Sequence, residues 1–250
     1  MYTLKKSLGQ HFLKRESVID QIMAALTCHS FSRLLEVGPG GGALTRYLEK
    51  LPNIDFKAVE LDDEKIDYLQ KTYPGLVGKI IRGSILEIPK PFLDHFTVIG
   101  NFPYNISTQI IFKMLEWRES VDVVIGMFQK EVAQRIAAGP NNKDYGILSV
   151  LVQAYFNVEY LFEVDEQAFT PPPKVKSGVI RLTNVGNPYK IEQEKKFFLL
   201  VKTAFGQRRK QLRNPLKGLF TPEVLQDEIF TKRAENLSVQ DYVDLLRKMK

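Results

Sequence analysis

Apolar positions recur along the chain with two different periods. Short, nearly continuous apolar runs predict strands at residues 33–37, 56–60, 79–82, 96–100, 121–128, 158–164 and 178–183. Apolar residues at helical intervals predict helices at 17–27, with Ser17 as N-cap, and at 43–51, 63–71, 106–117, 131–138 and 146–155. Strand and helix alternate at the spacing of βαβ units as far as about residue 185. The expected fold class is therefore α/β, with a mostly parallel, twisted sheet and a final strand pair adding an antiparallel edge. Val185-Gly-Asn-Pro188 is a turn-rich break. Beyond it strand patterns stop, and 192–205, 222–229 and 238–249 read as helices. The expected domains are 1–186, an α/β domain, and 187–250, a small helical one.

Composition narrows the class. Of 250 residues, 44% are hydrophobic and 26% charged, values of an ordinary globular protein that exclude wholesale disorder. The apolar runs are too short to span a bilayer, and 121–128 contains Asp122. Cys28 has no second cysteine to pair with and is expected as a buried thiol. His11, His29 and His95 are scattered, so no metal site is expected. Met1-Tyr-Thr-Leu-Lys-Lys-Ser7 lacks the apolar run of a secretory signal, and the expectation is a cytoplasmic protein with no membrane partner. No oligomer signal is visible, which leaves a monomer as the default.

Charge is partitioned unevenly. Residues 1–186 hold 21 Lys+Arg and 21 Asp+Glu, while 187–250 hold 14 and 8, so the whole net charge of +6 lies in the last quarter. Its densest stretch contains Arg208, Arg209, Lys210, Arg213 and Lys217. Such a cluster points to a polyanion, with RNA the favoured partner and a merely solvated helical face the alternative. Lys5-Lys6 and Lys14-Arg15 form a smaller cluster around 7–13.

Three segments carry candidate chemistry. Glu36-Val-Gly-Pro-Gly-Gly-Gly-Ala-Leu-Thr45 joins a strand to a helix, and Gly38, Gly40 and Ala43 satisfy G-x-G-x-x-A. Glu60 closes the next strand, where a carboxylate can accept from both hydroxyls of a ribose. A dinucleotide would bring a pyrophosphate, which Glu36 opposes; a ligand with ammonium and sulfonium groups suits that carboxylate, and S-adenosylmethionine is such a ligand. Asn101-Phe-Pro-Tyr104 follows the fourth strand, at the same carboxyl edge. An exocyclic base amine is a poor nucleophile because its lone pair is delocalised into the ring. The Asn101 amide oxygen and the Phe102 carbonyl can accept its two hydrogens and draw the nitrogen toward tetrahedral geometry. Pro103 stiffens the turn, and Tyr104 offers a ring for stacking. Phe169-Thr-Pro-Pro-Pro-Lys-Val-Lys176 is stiff and extended, so Phe169 could cover a flipped base opposite Tyr104, with core packing equally open.

Taken together, Ser7-Leu-Gly-Gln-His-Phe-Leu13, Glu36-Val-Gly-Pro-Gly40, Val59-Glu-Leu-Asp62, Gly100-Asn-Phe-Pro-Tyr-Asn-Ile-Ser-Thr108, the Phe169 segment and Phe205-Gly-Gln-Arg-Arg-Lys210 occur in an order that resembles the KsgA-type small-subunit ribosomal RNA adenine dimethyltransferases. The resemblance covers nearly the whole chain. It implies a Rossmann-like, S-adenosylmethionine-dependent methyltransferase sheet with a small all-helical C-terminal domain. It also implies dimethylation of N6 on two adjacent adenosines near the 3′ end of small-subunit rRNA, within a pre-ribosomal particle during ribosome assembly.

Carried over by position, the resemblance implies that His11 and Leu13 line the cofactor entrance and that Glu36, Gly38 and Gly40 underlie the methionine part. Glu60 holds the ribose with Leu61 beside it, Ser84 and Ile85 meet the cofactor adenine, and Asn101 touches both cofactor and target. Phe102, Pro103, Tyr104 and Phe169 complete the catalytic set. The chain departs from the family at His11 (more often Asn), at Phe102 (more often Leu) and at Ser84. Where Ser84 stands the family usually has an Asp that accepts from the cofactor adenine, and an uncharged, shorter acceptor predicts weaker cofactor binding. The competing readings are an Erm-type large-subunit rRNA methyltransferase, an RNA-binding assembly factor with vestigial catalysis, and a nicotinamide-dependent oxidoreductase.

Overall fold

A computed structural model of the protein describes residues 11–250. Lys5, Lys6 and the Ser7-Leu-Gly-Gln10 part of the first motif lie outside the described residues. By its contacts the chain forms two compact units. One takes the chain up to Ala133 together with Glu159–Asn184, and the other takes Gln134–Val158 with Val185–Lys250. The contact division falls between Asn184 and Val185, near the break expected at 186, whereas 134–158, assigned by sequence to the first domain, groups with the second unit. Its helical pattern cannot be told locally from those of the flanking βαβ units.

The first unit is built on a seven-stranded sheet in the order β4-β3-β2-β5-β6-β9-β7. These strands are β2 (Arg33–Val37), β3 (Asp55–Glu60), β4 (Ile80–Arg82), β5 (Phe96–Asn101), β6 (Val121–Gln129), β7 (Phe156–Val164) and β9 (Ser177–Asn184). The pairs β3/β4, β2/β3, β2/β5 and β5/β6 are parallel, and β9 runs antiparallel to β6. The expected antiparallel edge is present. The central strands are buried at almost every position, as a parallel sheet covered on both faces requires. β1 (Phe12–Leu13) and β8 (Phe169–Thr170) form a separate antiparallel pair.

Chain order places β2 and β5 side by side, with β3 and β4 on one flank and β6 on the other. The strand order therefore reverses at β2/β5, and a crevice opens beyond their carboxyl ends. Helices α1 (Glu16–Thr27), α3 (Asp63–Thr72) and α4 (Ser107–Glu116) follow the expected ranges closely. Ile19, Ile22 and Leu26 of α1 are at most 2% exposed, and each such side chain contributes about 1.5–3 kcal/mol by leaving water.

Local details differ from expectation. The N-cap of α1 is Arg15, without a side-chain bond, rather than Ser17. The helix expected over 43–51 shrinks to α2 (Thr45–Leu48), preceded by glycine turns. Cys28 is exposed, not buried, and its sulfur accepts a hydrogen bond from Arg181.

The second unit contains α6 (Ile147–Gln153), α7 (Glu194–Gly206), α8 (Arg213–Leu216) and α9 (Val239–Arg247), and α5 (Lys130–Ala137) runs into it. Beyond Asn184 no strand occurs among the described residues. The helix expected over 222–229 is instead two 3₁₀ turns, Val224–Gln226 and Glu228–Thr231. Asp227 is extended there and its carboxylate accepts from Ile229 N–H, so the side chain starts a new turn instead of continuing a helix. Ser238, by contrast, caps α9 through a reciprocal pair with Asp241.

Candidate active site

One cleft opens at the carboxyl ends of β2, β3, β4 and β5, and its walls collect residues from almost every motif singled out by sequence. His11, Leu13, Glu36, Gly38, Gly40, Glu60, Leu61, Ser84, Ile85, Asn101, Phe102, Pro103 and Tyr104 all line it. Phe169 does not. It is 1% exposed, pairs with Leu13 across β1/β8, and packs in the core with Val164, Ala168 and Val179. Core packing, the reading left open beside base stacking, is where the structure puts it.

The floor is made by the glycine loop. Gly38 and Gly40 both hold left-handed backbone, at φ 69° and 54°. A Cβ on Gly40 would come within 3.0 Å of the Phe12 ring, so this glycine also lets β1 lie close. Glu36 projects from β2 beneath the loop and is 2% exposed. Its Oε2 accepts from Thr45 Oγ1 at 2.7 Å. Burial pushes its carboxyl up to about 8, and neighbouring Glu60 adds to the rise, while the Thr45 bond opposes it. Glu60 is braced by the backbone: Oε2 accepts from Gly40 N–H (3.1 Å), and Oε1 from Leu61 and Asp62 N–H (2.8 and 3.0 Å). Glu60 thereby ties the glycine loop to the end of β3.

Leu61 is 55% exposed and lines the cleft. Ile85, after β4, is buried and also lines the cleft. Ser84 Oγ accepts from Leu86 N–H at 3.3 Å and so closes its own turn.

The roof comes from the turn after β5 and from β1. Phe102 turns its ring inward, where it lies over Gly100 and Gly126 and meets Phe128 edge-on at 5.1 Å. Side chains at either glycine would clash with that ring, so the two glycines set the seat of the turn. Anchored this way, Phe102 is also a residue of the cleft lining. Asn101 Nδ2 donates to the His11 carbonyl at 2.9 Å, which turns Oδ1 the other way. The turn is stiffened further where Ile106 N–H and Ser107 Oγ donate to the carbonyls of Pro103 and Tyr104.

β1 is fastened along its length. His11 Nδ1 donates to the Pro171 carbonyl at 2.9 Å, and its ring stacks beside Tyr104 at 5.6 Å. Lys65, fully buried, places its ammonium 5.0 Å from the Phe12 ring centre.

Sequence reasoning missed Phe12, Thr45, Lys65 and Ser177. Phe12 lay inside a quoted motif and could have been found there. Thr45 closed the quoted Glu36–Thr45 segment but was given no role there, while Lys65 and Ser177 act across the fold and nothing local marks them. Of the basic residues named by sequence, Arg209, Lys210, Arg213 and Lys217 are exposed in the second unit. Arg208 is half-buried: it donates to the Lys143 carbonyl at 2.6 Å and lies 3.7 Å from the Glu235 carboxylate.

Comparison with known proteins adds to this geometry. The ribosomal RNA adenine dimethylase family matches residues 1–250. The chain is 51% identical over 245 residues to the ribosomal RNA small subunit methyltransferase A of Cytophaga hutchinsonii, covering 96% of this chain and 95% of that one. It is 48% identical over 249 residues to the enzyme of the same name from Flavobacterium johnsoniae, covering 98% and 95%. Among solved structures, a dimethyladenosine transferase from Plasmodium falciparum superposes with a TM-score of 0.81 at 24% identity, covering 96% and 99%. The 23S rRNA methyltransferase ErmE gives 0.74 at 21% identity, covering 95% and 99%. The two superpositions establish the fold.

Proposed function

The chain belongs to the ribosomal RNA adenine dimethylase family, and from that premise we infer that it is an S-adenosylmethionine-dependent methyltransferase that dimethylates N6 of adenosines in small-subunit rRNA. The observation that carries the cofactor is the charge of the cleft. Among the described residues its lining holds two carboxyl groups, Glu36 and Glu60, and no lysine or arginine. Carboxyl groups that a cation would draw into ionised form, with no basic side chain described beside them, suit an ammonium and sulfonium ligand and offer a pyrophosphate no partner, which disfavours the nicotinamide alternative. Near identity of length and about half of all residues shared with small-subunit enzymes favour that substrate over the Erm-type one.

Glu36 would hold the ammonium end of the cofactor, Glu60 the ribose hydroxyls, and Leu61 and Ile85 the faces of its adenine, with Ser84 near the amine. S-adenosylmethionine supplies a methyl group already activated on sulfonium, so the protein needs neither a strong base nor a nucleophile of its own. What the chain contributes is preparation of the target. Asn101 Oδ1 and the Phe102 carbonyl accept the two N6 hydrogens, taking the amine lone pair out of conjugation. The Asn101 amide is fixed for this by its bond to the His11 carbonyl. Tyr104 stacks on the target base.

We further propose that the two target adenosines are adjacent, near the 3′ end of the rRNA, and are modified in a pre-ribosomal particle in the cytoplasm by a monomeric enzyme. Incubation with radiolabelled cofactor and immature small subunits should yield N6,N6-dimethyladenosine at those positions. Unlabelled rRNA would overturn the assignment and leave the vestigial-factor reading. Asn101→Ala should reduce turnover by about 10²–10³, the scale of losing one oriented polar group in an active site; a wild-type rate would refute the acceptor role.

A further inference from the structure

The ring of Tyr104 lines the cleft, but its hydroxyl is engaged elsewhere. Tyr104 Oη meets Ser177 Oγ at 2.5 Å. Ser177 is completely buried and opens β9, where it pairs with Gln129 of β6. The carbonyl of the preceding Lys176 accepts from Lys130 N–H at 2.9 Å. The partner of the phenol is therefore seated on the sheet and not on a free loop. Burial raises the Tyr104 phenol above its ordinary value, with the Ser177 bond opposing, so the pair is a neutral one at working pH. A tyrosine ring moves about two side-chain torsions. Fixing the atom farthest from its Cα removes both.

The same stretch of chain also holds the neighbouring ring. His11, stacked beside Tyr104, donates to the Pro171 carbonyl. The proline-rich segment thus grips one ring near its start and the other at its end, while Phe169 before it is turned into the core.

We propose that Ser177 is a positioning residue for methyl transfer, its buried hydroxyl holding the Tyr104 ring as the platform on which the target adenine stacks. This rests on the assignment of Tyr104 to the target base. Ser177 is not among the residues lining the cleft, and its side chain is joined to that lining by the bond to Tyr104.

The test is single-turnover methylation of immature small subunits at saturating cofactor, by the wild type, Ser177→Ala, Tyr104→Phe and the double variant, with cofactor affinity measured for each. Each single change should slow transfer by about fivefold, the worth of one neutral hydrogen bond. Cofactor affinity should stay within about twofold of wild type, since the bond lies outside the cofactor's walls. The double variant should be no slower than the slower single, because both changes remove one interaction. Ser177→Thr, which keeps the hydroxyl, should recover most of the rate.

A wild-type rate for Ser177→Ala, losses that multiply in the double variant, or a Thr variant as slow as the Ala one would each overturn the proposal. Should Ser177→Ala not fold, Tyr104→Phe probes the same bond from its other end, and a wild-type rate there overturns it equally. Tyr104→Ala separates the two levels. Full turnover in that variant removes the stacking role itself, whereas its loss beside an unaffected Ser177→Ala removes only the role of Ser177.

Discussion

Glu36 is a carboxyl group almost without solvent, and its protonation couples the cleft to pH. Burial, with Glu60 adding, lifts it from an ordinary 4.5 to about 8. The folded protein then keeps a proton that the unfolded chain has already released. Between those two values folding binds a proton, so stability falls as pH rises and the loss is complete above the higher one. Melting temperature of the ligand-free protein should decline across that window, and Glu36→Gln should flatten the decline; an unchanged slope would show that Glu36 is charged when folded. A cationic ligand favours the carboxylate, so cofactor binding should release protons below pH 8. Calorimetry in buffers of differing ionisation heat would count them, and heats independent of buffer would contradict the contact. At Ser84 the hydroxyl oxygen already accepts from Leu86 N–H. Ser84→Asp should tighten cofactor binding by about fivefold, the gain of about 1 kcal/mol from a charged over a neutral acceptor; unchanged affinity would mean the cofactor does not reach this residue. Glu36, Gly38, Gly40 and Glu60 were legible because strand, turn and strand end follow each other in sequence. Thr45 was not, since its value lies in where Glu36 points after folding.

At the scale of elements, the short strap β1 and the loop after β2 close on each other. Lys65 on one ring, the Asn101 amide on one carbonyl and pairing with β8 hold the strap down. Gly40 makes room for it. Gly40→Ala would force an alanine into left-handed backbone, at about 1–2 kcal/mol, and set a Cβ 3.0 Å from Phe12. We expect lower stability in denaturant melts together with weaker cofactor binding, as both residues line the cleft. A variant equal to wild type in both would show that the strap is not seated there. Most strands were readable to within one or two residues because a continuously buried strand needs a continuous apolar run. The segment 222–229 misled because its spacing is helical while Asp227 prefers to cap a turn of its own.

For the molecule as a whole, the two units differ sharply in charge. The unit containing the cleft carries 19 Lys+Arg against 20 Asp+Glu, and the other carries 16 against 9. Moving 134–158 into the second unit therefore sharpens the asymmetry that the tail alone already showed. Arg208 and its neighbours separate in role. Ala substitution at Arg209, Lys210, Arg213 and Lys217 should weaken RNA binding and flatten its salt dependence by about 0.7–0.9 for each phosphate no longer neutralised. Arg208→Ala should instead lower stability, because its guanidinium supports the Lys143 carbonyl and Glu235. Filter binding across a salt series, beside thermal melts, distinguishes them; a salt slope unmoved in the quadruple variant would place those side chains away from RNA.

Sequence alone determined the α/β class, the break before the basic tail, and the glycine loop, acidic strand end and Asn-Phe-Pro-Tyr turn that share one sheet edge. These depend on periodicity and on neighbours in the chain, and both are written locally. Only the tertiary structure decided that Phe169 belongs to the core, that Arg208 braces the Lys143 carbonyl and Glu235, that residues 134–158 join the second unit, and that Ser177 and Lys65 hold groups of the cleft. Each of those outcomes depends on packing between residues far apart in sequence, where the same residue type serves core, brace or site according to what the fold brings beside it.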